Sequence, residues 1–239
     1  MRFPSTLLPG RLIKRYKRFF ADIELSDGRL VTAHCPNTGA MQGVLTAGNP
    51  VWISQSSDPN RKLPYTWEFV EIDSTYVGVN TQNPNKIVGD ALLSGHIPQL
   101  ALYNTVRSEV KYGTENSRID FLLTDLKGTH CYVEVKNVHY AKTEHARRTA
   151  IFPDSKTTRG VKHLNELIRV VEQGHRAVII YCVQRNDCEI LRFGAEFDPL
   201  YSKTAVNALK QGVEMIPYSC DITLEGINLN TPLALTTEI

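Results

Sequence analysis

The stretch Ala177 to Val183 is the longest uninterrupted apolar run in the chain. It falls far short of the ~20 residues that a membrane-spanning helix requires. Its residues do not alternate apolar with polar, so it reads as a strand covered on both faces, as in a parallel sheet. Helices must then supply the cover, and the flanks provide them. From about Thr158 to Gln173, Val161, Leu164, Leu167, Ile168 and Val171 recur on one helical face, with Gly174 placed to end the helix. Asp198 and Pro199 give an N-cap and a first-turn proline for a second helix ending at Gly212, and Val213 to Tyr218 returns as a strand. Upstream come a helix from about Lys86 to Leu93, strands at Val106–Tyr112, Arg118–Leu123 and Cys131–Val138, and a long cationic loop. This half of the chain is mixed α/β.

The first 80 or so residues follow another pattern. Short alternating segments are separated by turn signals at Asp27-Gly28, Ala47 to Pro50 and Ser57 to Asn60, and Asp27-Gly28 predicts a two-residue hairpin. About five short strands suggest a small closed or half-closed barrel of the oligonucleotide-binding (OB) type, with a sandwich as the alternative. Asn80 to Asn85, rich in Asn and Pro, is the expected boundary between an OB-like barrel at 1–82 and an α/β domain at 83–239. A chain of 239 residues accommodates both units.

Chemistry concentrates in Ser117-Arg-Ile-Asp120-Phe-Leu-Leu123 and Cys131-Tyr-Val-Glu134-Val-Lys136. Strand alternation places Ile119, Phe121 and Leu123 on one face with Asp120 on the other, and makes Glu134 and Lys136 neighbours. With Leu126-Lys127-Gly128 as a three-residue loop and Gly128 left-handed, Asp120 falls opposite Glu134. Two carboxylates and a backbone carbonyl suit a hard divalent cation such as Mg²⁺, with Asp120 and Glu134 as its ligands. A neighbouring lysine can orient water and stabilise charge on a reacting phosphate. The Asp-x13-Glu-x-Lys pattern resembles the active-site core of the PD-(D/E)XK nuclease superfamily, which assigns Asp120, Glu134 and Lys136 as catalytic candidates; a solvated hairpin face with an exposed ion pair is the bland alternative. Between Lys136 and Arg169 stand eight Lys/Arg and three acids. Arg159, Lys162, His163, Glu166 and Arg169 lie opposite the apolar stripe of their helix and read as a phosphate-contacting surface.

A second cationic cluster comprises Arg11, Lys14, Arg15, Lys17 and Arg18, interleaved with Tyr16 and followed by Phe19 and Phe20; Arg61 and Lys62 extend it. Cations with stacking aromatics are what single-strand binders use, whereas a barrel core with solvated edges accounts for the same residues. The net charge of +2 conceals this asymmetry, because residues 211 to 239 hold Glu214, Asp221, Glu225 and Glu238 and no Lys or Arg, and this acidic tail is expected away from the nucleic acid. Five cysteines without a Cys-x-x-Cys pair fit reduced thiols, and Cys35 beside the turn at Pro36 to Gly39 reads as a buried residue rather than a nucleophile. Pro4, Pro9 and the cations behind them interrupt any secretory signal, which makes the cytoplasm the expected location.

His34-Cys-Pro-Asn-Thr-Gly-Ala-Met41, Arg61-Lys62-Leu63, Thr66-Trp67-Glu68, Gly78-Val-Asn-Thr81, Glu134-Val-Lys-Asn-Val138, Phe152-Pro-Asp154, Arg159-Gly-Val-Lys-His-Leu164 and Val183-Gln-Arg185 together resemble the bacterial and archaeal sugar fermentation stimulation protein A family. The resemblance implies an N-terminal OB domain joined to a nuclease-like domain, sequence-nonspecific DNA binding, and a regulatory role in sugar, especially maltose, utilisation. It carries the nuclease-type core onto Asp120, Glu134 and Lys136, with Ile119 where the superfamily often has proline; Glu109 is the candidate for a further acid. The sequence therefore points to DNA as partner, with no membrane and no small-molecule cofactor implied. A Mg²⁺-dependent phosphodiesterase and a protein-interaction scaffold are the rival readings, and oligomeric state stays open.

Overall fold

The computed structural model describes residues 1–113 and 117–237, so Glu238 lies outside the described residues. Strands β1 (Leu8–Tyr16), β2 (Phe20–Leu25), β3 (Leu30–His34), β4 (Pro50–Gln55) and β5 (Tyr65–Ile72) close a barrel, with β6 (Thr75–Gly78) added beside β5. Closure comes from β3, which runs antiparallel to β2 and parallel to β5 at Ala33↔Tyr65 and His34↔Thr66, while β4 pairs with both β1 and β5. This is the five-stranded OB arrangement. Leu12, Ile23, Ala33, Val51, Ile53 and Trp67 fill the barrel, and the Trp67 indole donates to the Phe69 carbonyl at 3.0 Å. Asp27-Gly28 does make a hairpin, but with three loop residues rather than two: Leu25 and Arg29 still pair, and Gly28 takes φ +83°. A left-handed glycine at the third position restores the register that a two-residue turn would have kept.

The second unit contains α1 (Asn83–Leu93), β7 (Thr105–Tyr112), β8 (Ser117–Thr124), β9 (His130–Val138), β10 (Ala141–Glu144), β11 (Arg147–Phe152), α2 (Thr158–Glu172), β12 (Arg176–Val183), β13 (Ile190–Phe193), α3 (Pro199–Lys210), β14 (Glu214–Ile222), β15 (Ile227–Pro232) and β16 (Ala234–Thr236). Its main sheet runs β15-β14-β12-β9-β8-β7, and β12 lies centrally, parallel to both neighbours and buried from Ala177 to Val183. One apolar layer lies between this sheet and α1; the other joins it to α2, α3 and the small sheet β10-β11-β13-β16. The segment expected as a cationic loop is thus partly sheet: β11 pairs with β10 and lies parallel to β13. Arg192 bridges Glu144 and Glu196 there, and Arg148, one of the cations of that run, lies 3.4 Å from Asp187. Ile119 also departs from expectation, entering the α2 layer while Phe121 and Leu123 enter the α1 layer. No helix among the described residues is long and apolar enough to cross a membrane.

The barrel docks through an aromatic cluster and a polar seam. Trp52 stacks on Phe69 at 5.0 Å, Tyr76 lies 4.9 Å from each, and all three touch the layer that contains α1. Buried Glu68 accepts from Ser54 (2.7 Å), Asn80 (2.8 Å) and Asn83 (3.0 Å), which fixes the entry of the chain into α1. Gly78 N donates to Gln184 O at 2.8 Å, and Gln184 Nε2 donates to Asn80 O at 3.2 Å and to Asn137 Oδ1 at 2.6 Å. The N-terminus adds a second attachment: Phe3 N donates to Glu225 O, Arg2 bridges Gly226, and the Met1 ammonium donates to Ile227 O at 2.7 Å.

A Cβ added at Gly78 would fall 2.5 Å from Gln184 Oε1 and 2.8 Å from Gln184 Cβ. Gly78→Ala is therefore expected to destabilise the protein by about 1–3 kcal/mol through overpacking at the seam. Urea unfolding of the variant beside the parent checks this; an unchanged midpoint would show that the seam yields freely.

Candidate active site

The β8–β9 hairpin sets the site. Asp125 and Thr129 close a three-residue loop in which Gly128 has φ +81°, and the ladder runs Thr124↔His130 to Phe121↔Val133. One step further brings Asp120 opposite Glu134. There the side chain takes over from the ladder, because Asp120 Oδ2 accepts the Val135 amide at 2.7 Å while Oδ1 accepts from Asn85 Nδ2 at 2.8 Å. Glu134, 3% exposed, receives Lys136 Nζ on Oε1 at 2.7 Å and His163 Nδ1 on the same oxygen. Arg159 Nε donates to His163 Nε2 at 3.2 Å. Since a guanidinium only donates, the imidazole proton belongs on Nδ1, facing Glu134. The second oxygen of Glu134 is buried with no hydrogen-bond partner among the described residues.

The two carboxylates are held in opposite electrostatic states. Burial pushes Glu134 up, but Lys136 and His163 outweigh it and hold its carboxyl below the ordinary 4.5. Burial, and then the charge of Glu134, push Asp120 above 3.8 against the bonds from Val135 and Asn85. An acid pair of this kind, with one unpaired buried oxygen on Glu134, matches the donor chemistry of a hard divalent cation. Among the described residues no three His, Cys, Asp or Glu side chains group as metal ligands, so the remaining positions of such an ion would belong to water, main-chain carbonyls or substrate oxygens. That division suits Mg²⁺, which retains several waters.

These residues line a cleft of about 470 Å³ together with Asn37, Thr38 and Thr81 from the barrel side and His139, Asp154, Lys156 and Arg159 from the α/β unit. Thr157 caps α2 by accepting the Gly160 amide at 3.1 Å, which presents Arg159 and His163 from the first turns of that helix. The face of α2 expected to meet phosphates is divided: Arg159 is exposed, Lys162 half-buried, and His163 and Glu166 are buried, the latter paired with Arg169. His163 is therefore a support for Glu134 rather than a solvent-facing cation. Glu109 sits exposed at a bulge in β7, outside the cleft lining.

The N-terminal cations lie elsewhere. Lys17 and Arg18 are exposed at the β1–β2 turn in left-handed conformations. Arg11 donates to Gly48 O, and Lys14 lies 3.7 Å from Asp22 and over the Tyr16 ring, which stacks on Phe20. Arg61 donates to Thr66 and Lys62 is exposed. Arg15 differs from these: one guanidinium nitrogen serves the carbonyls of Arg18, Asn37 and Gly39, tying the 36–39 turn in place. Cys35 is fully buried and its thiol is pushed up by burial, which leaves it no nucleophilic character. Glu214 pairs with Arg176, and neither it nor Asp221 nor Glu225 lines the cleft. Sequence reasoning gave no site role to Asn85, His139 or Asp154. Asn85 looked like linker because α1 begins at Asn83, three residues before the expected start, and His139 Nε2 and Asp154 Oδ2 meet at 3.7 Å only through the fold of β9 and β11.

Family models match the chain over residues 13–79, described as the SfsA N-terminal OB domain, and 82–226, the sugar fermentation stimulation protein RE domain. The sugar fermentation stimulation protein homolog of Rhodospirillum centenum is 51% identical over 99% of this chain and 100% of its own length, and that of Maricaulis maris 48% identical over 98% and 97%. The solved structure of Pyrococcus furiosus SfsA in complex with Ca²⁺ superposes with a TM-score of 0.87 at 23% identity, covering 99% of this chain and 98% of that one. The chain belongs to the sugar fermentation stimulation protein family.

The opposed carboxylates give opposite mutational signs. A folded pKa below the unfolded one means that Glu134 supports the fold above about pH 4.5 and loses that support as pH falls. The raised pKa of Asp120 means that its ionised form costs stability at neutral pH, and this cost fades on acidification. Glu134→Ala is expected to lose about 3 kcal/mol by stranding buried Lys136 and His163. Asp120→Asn should raise the Tm of metal-free protein at pH 7, and calorimetry of both variants in chelator tests the pair of signs.

Proposed function

We propose that this member of the sugar fermentation stimulation protein family binds DNA without sequence preference and hydrolyses its phosphodiester bonds in a divalent-metal-dependent reaction at the Asp120–Glu134–Lys136 site. The convergence of these three side chains at the floor of a cleft flanked by Lys156 and Arg159 carries the reading. It also supports a PD-(D/E)XK assignment for the α/β domain, with the barrel at 1–82 and the nuclease-like domain at 83–239. Asp120 and Glu134 would hold the cation, Mg²⁺ in the first instance. Its chemistry there would be to lower the pKa of a water and neutralise phosphate charge. The Ca²⁺ in the Pyrococcus furiosus relative accords with a hard, oxygen-ligated ion.

The remaining roles belong to this chain's own groups. Lys136 Nζ, held by Glu134, orients the attacking water and stabilises negative charge as it develops on the phosphate. His163, fixed by Arg159, keeps Glu134 Oε1 occupied so that Oε2 is the oxygen left for a ligand. Arg159, Lys162 and Lys156 neutralise neighbouring phosphates, and the exposed Arg11, Lys14, Lys17, Arg18 and Lys62, with half-buried Arg61, provide a second, more distant phosphate track on the barrel. Contacts of this kind carry no base readout. A role in sugar, especially maltose, utilisation rests on the family and takes DNA binding as its physical premise.

Incubating the protein with duplex, single-stranded and branched DNA in Mg²⁺, Mn²⁺ or chelator tests the enzyme reading. Cleavage should require metal and fall by at least about 100-fold in Asp120→Ala, the order expected when a charge-stabilising group is removed; cleavage that survives this substitution would overturn the assignment. Binding should weaken about tenfold between 50 and 200 mM salt for every two phosphates neutralised. A flat salt response would refute phosphate-led binding.

A further inference from the structure

The turn Pro36-Asn37-Thr38-Gly39 belongs to the barrel, yet Asn37 and Thr38 line the cleft that contains the carboxylates. Three bonds from Arg15 to the carbonyls of Arg18, Asn37 and Gly39 hold this turn, and Thr81 Oγ1 donates to Pro36 O at 2.9 Å from the inter-unit segment. Within the turn, Asn37 Oδ1 accepts the Gly39 amide at 2.9 Å, which fixes the direction of the side-chain amide. Asn37 is 3% exposed, and its Nδ2 is buried with no hydrogen-bond partner among the described residues. A buried donor in this condition costs about 1–3 kcal/mol unless it acquires an acceptor. The turn geometry needs only Oδ1, so the unused NH₂ is not explained by the turn itself.

The cleft's dimensions say what can supply that acceptor. About 470 Å³ is the size of pocket that encloses one small organic group. The floor, at Glu134, is almost wholly buried, so a phosphate reaches it only by entering between the barrel turn and the 152–160 segment. The Gln184 and Glu68 seams hold the barrel against the second unit beside this opening. A nucleotide enters such a cleft most readily from an unpaired strand, because a paired one must first be unstacked and unpaired.

Resting on the phosphodiesterase reading above, we infer that the cleft takes an unpaired strand, one nucleotide at a time, and that Asn37 Nδ2 is a substrate-binding donor for a phosphate or base oxygen of that nucleotide. The barrel is then a wall of the active cleft and not only a tether for duplex. Exposed Phe19, at 47%, and the Lys17-Arg18 turn next to it offer a stacking and charged surface for flanking nucleotides of the same strand.

The experiment measures Kd by fluorescence anisotropy in Ca²⁺ for a labelled single-stranded 20-mer and for its blunt duplex, with cleavage of both followed in Mg²⁺ or Mn²⁺. Two variants are compared with the parent: Asn37→Asp, which retains Oδ1 for Gly39 but replaces the donor by a charged acceptor, and Thr38→Trp, an exposed position where bulk narrows the entrance without touching the core. Each should weaken single-strand binding at least tenfold while duplex binding through the outer cations changes less than twofold, and the parent should cleave single strand or frayed ends in preference to blunt duplex. Efficient Asp120-dependent cleavage of blunt duplex, or single-strand affinity unchanged in a folded Thr38→Trp, would overturn the inference and leave the nuclease reading standing. Absence of metal-dependent cleavage of every substrate would instead bring down the reading on which it rests.

Discussion

The position of everything facing the cleft is set relative to Gln184, a fully buried side chain at the end of the central strand. Its backbone N–H donates to Val138 O and its carbonyl accepts from Gly78 N, so one residue joins the end of β9 to the last strand of the barrel. Its side chain repeats the connection, from Asn137 to Asn80. Glu134 and Lys136 lie immediately before Asn137 on β9, and the barrel turn at 36–39 reaches the cleft through Thr81, the residue after Asn80. Although Gln184 Oε1 has no hydrogen-bond partner among the described residues, the bonds that the junction does make hold in one arrangement, which makes it a registration device as well as an adhesive. Apolar contact through Trp52, Phe69 and Tyr76 supplies area but tolerates sliding; the amide and carboxylate seam does not.

Within the α/β unit the corresponding constraint is the substitution of a side chain for a strand ladder. Asp120 accepts the Val135 amide where a main-chain carbonyl would otherwise stand, so β8 can leave β9 without stranding a buried donor. The same carboxylate thereby faces Glu134 across a short gap in a largely buried site. Such a pair is costly in isolation and becomes favourable only with positive charge between or beside its members. Lys136 neutralises one partner, which the His163 N–H also hydrogen-bonds, and the other remains the electrostatic debt of the site.

Much of this was legible in residue patterns because the relevant physics is local. The strand alternation of Cys131 to Lys136, the loop ending in Gly128 and the spacing from Asp120 to Glu134 together specify the hairpin register, and the apolar run at Ala177 to Val183 specifies a covered central strand. What was not legible depended on distant partners. His163 and Glu166 look like solvent-facing residues on a helical wheel, and they are buried because Glu134 and Arg169 are there to meet them. Ile119 leaves the face predicted by alternation where Asp120 breaks the ladder. Arg15 reads as one cation among five, and only the folded turn at 36–39 shows that its guanidinium is spent on carbonyls. The small sheet around β11 leaves no local pattern, since its parallel partner, β13, lies some 40 residues further along the chain.

The attachment of Met1 to Ile227 has a consequence in time rather than in space. These residues are separated by 226 positions, and the first three residues tie the strip that precedes and begins β15 to Asp90 of α1 and, through the Phe3 ring, to Phe69 of the barrel. At synthesis rates of about 5–20 residues per second, the N-terminus waits roughly 10–45 s for this partner to leave the ribosome. The barrel can close early from its own short-range pairings, whereas its second attachment must await nearly the whole chain. The full attachment of the barrel to the second unit is therefore among the last features to be completed during synthesis, and a nascent barrel with its cations already displayed precedes it.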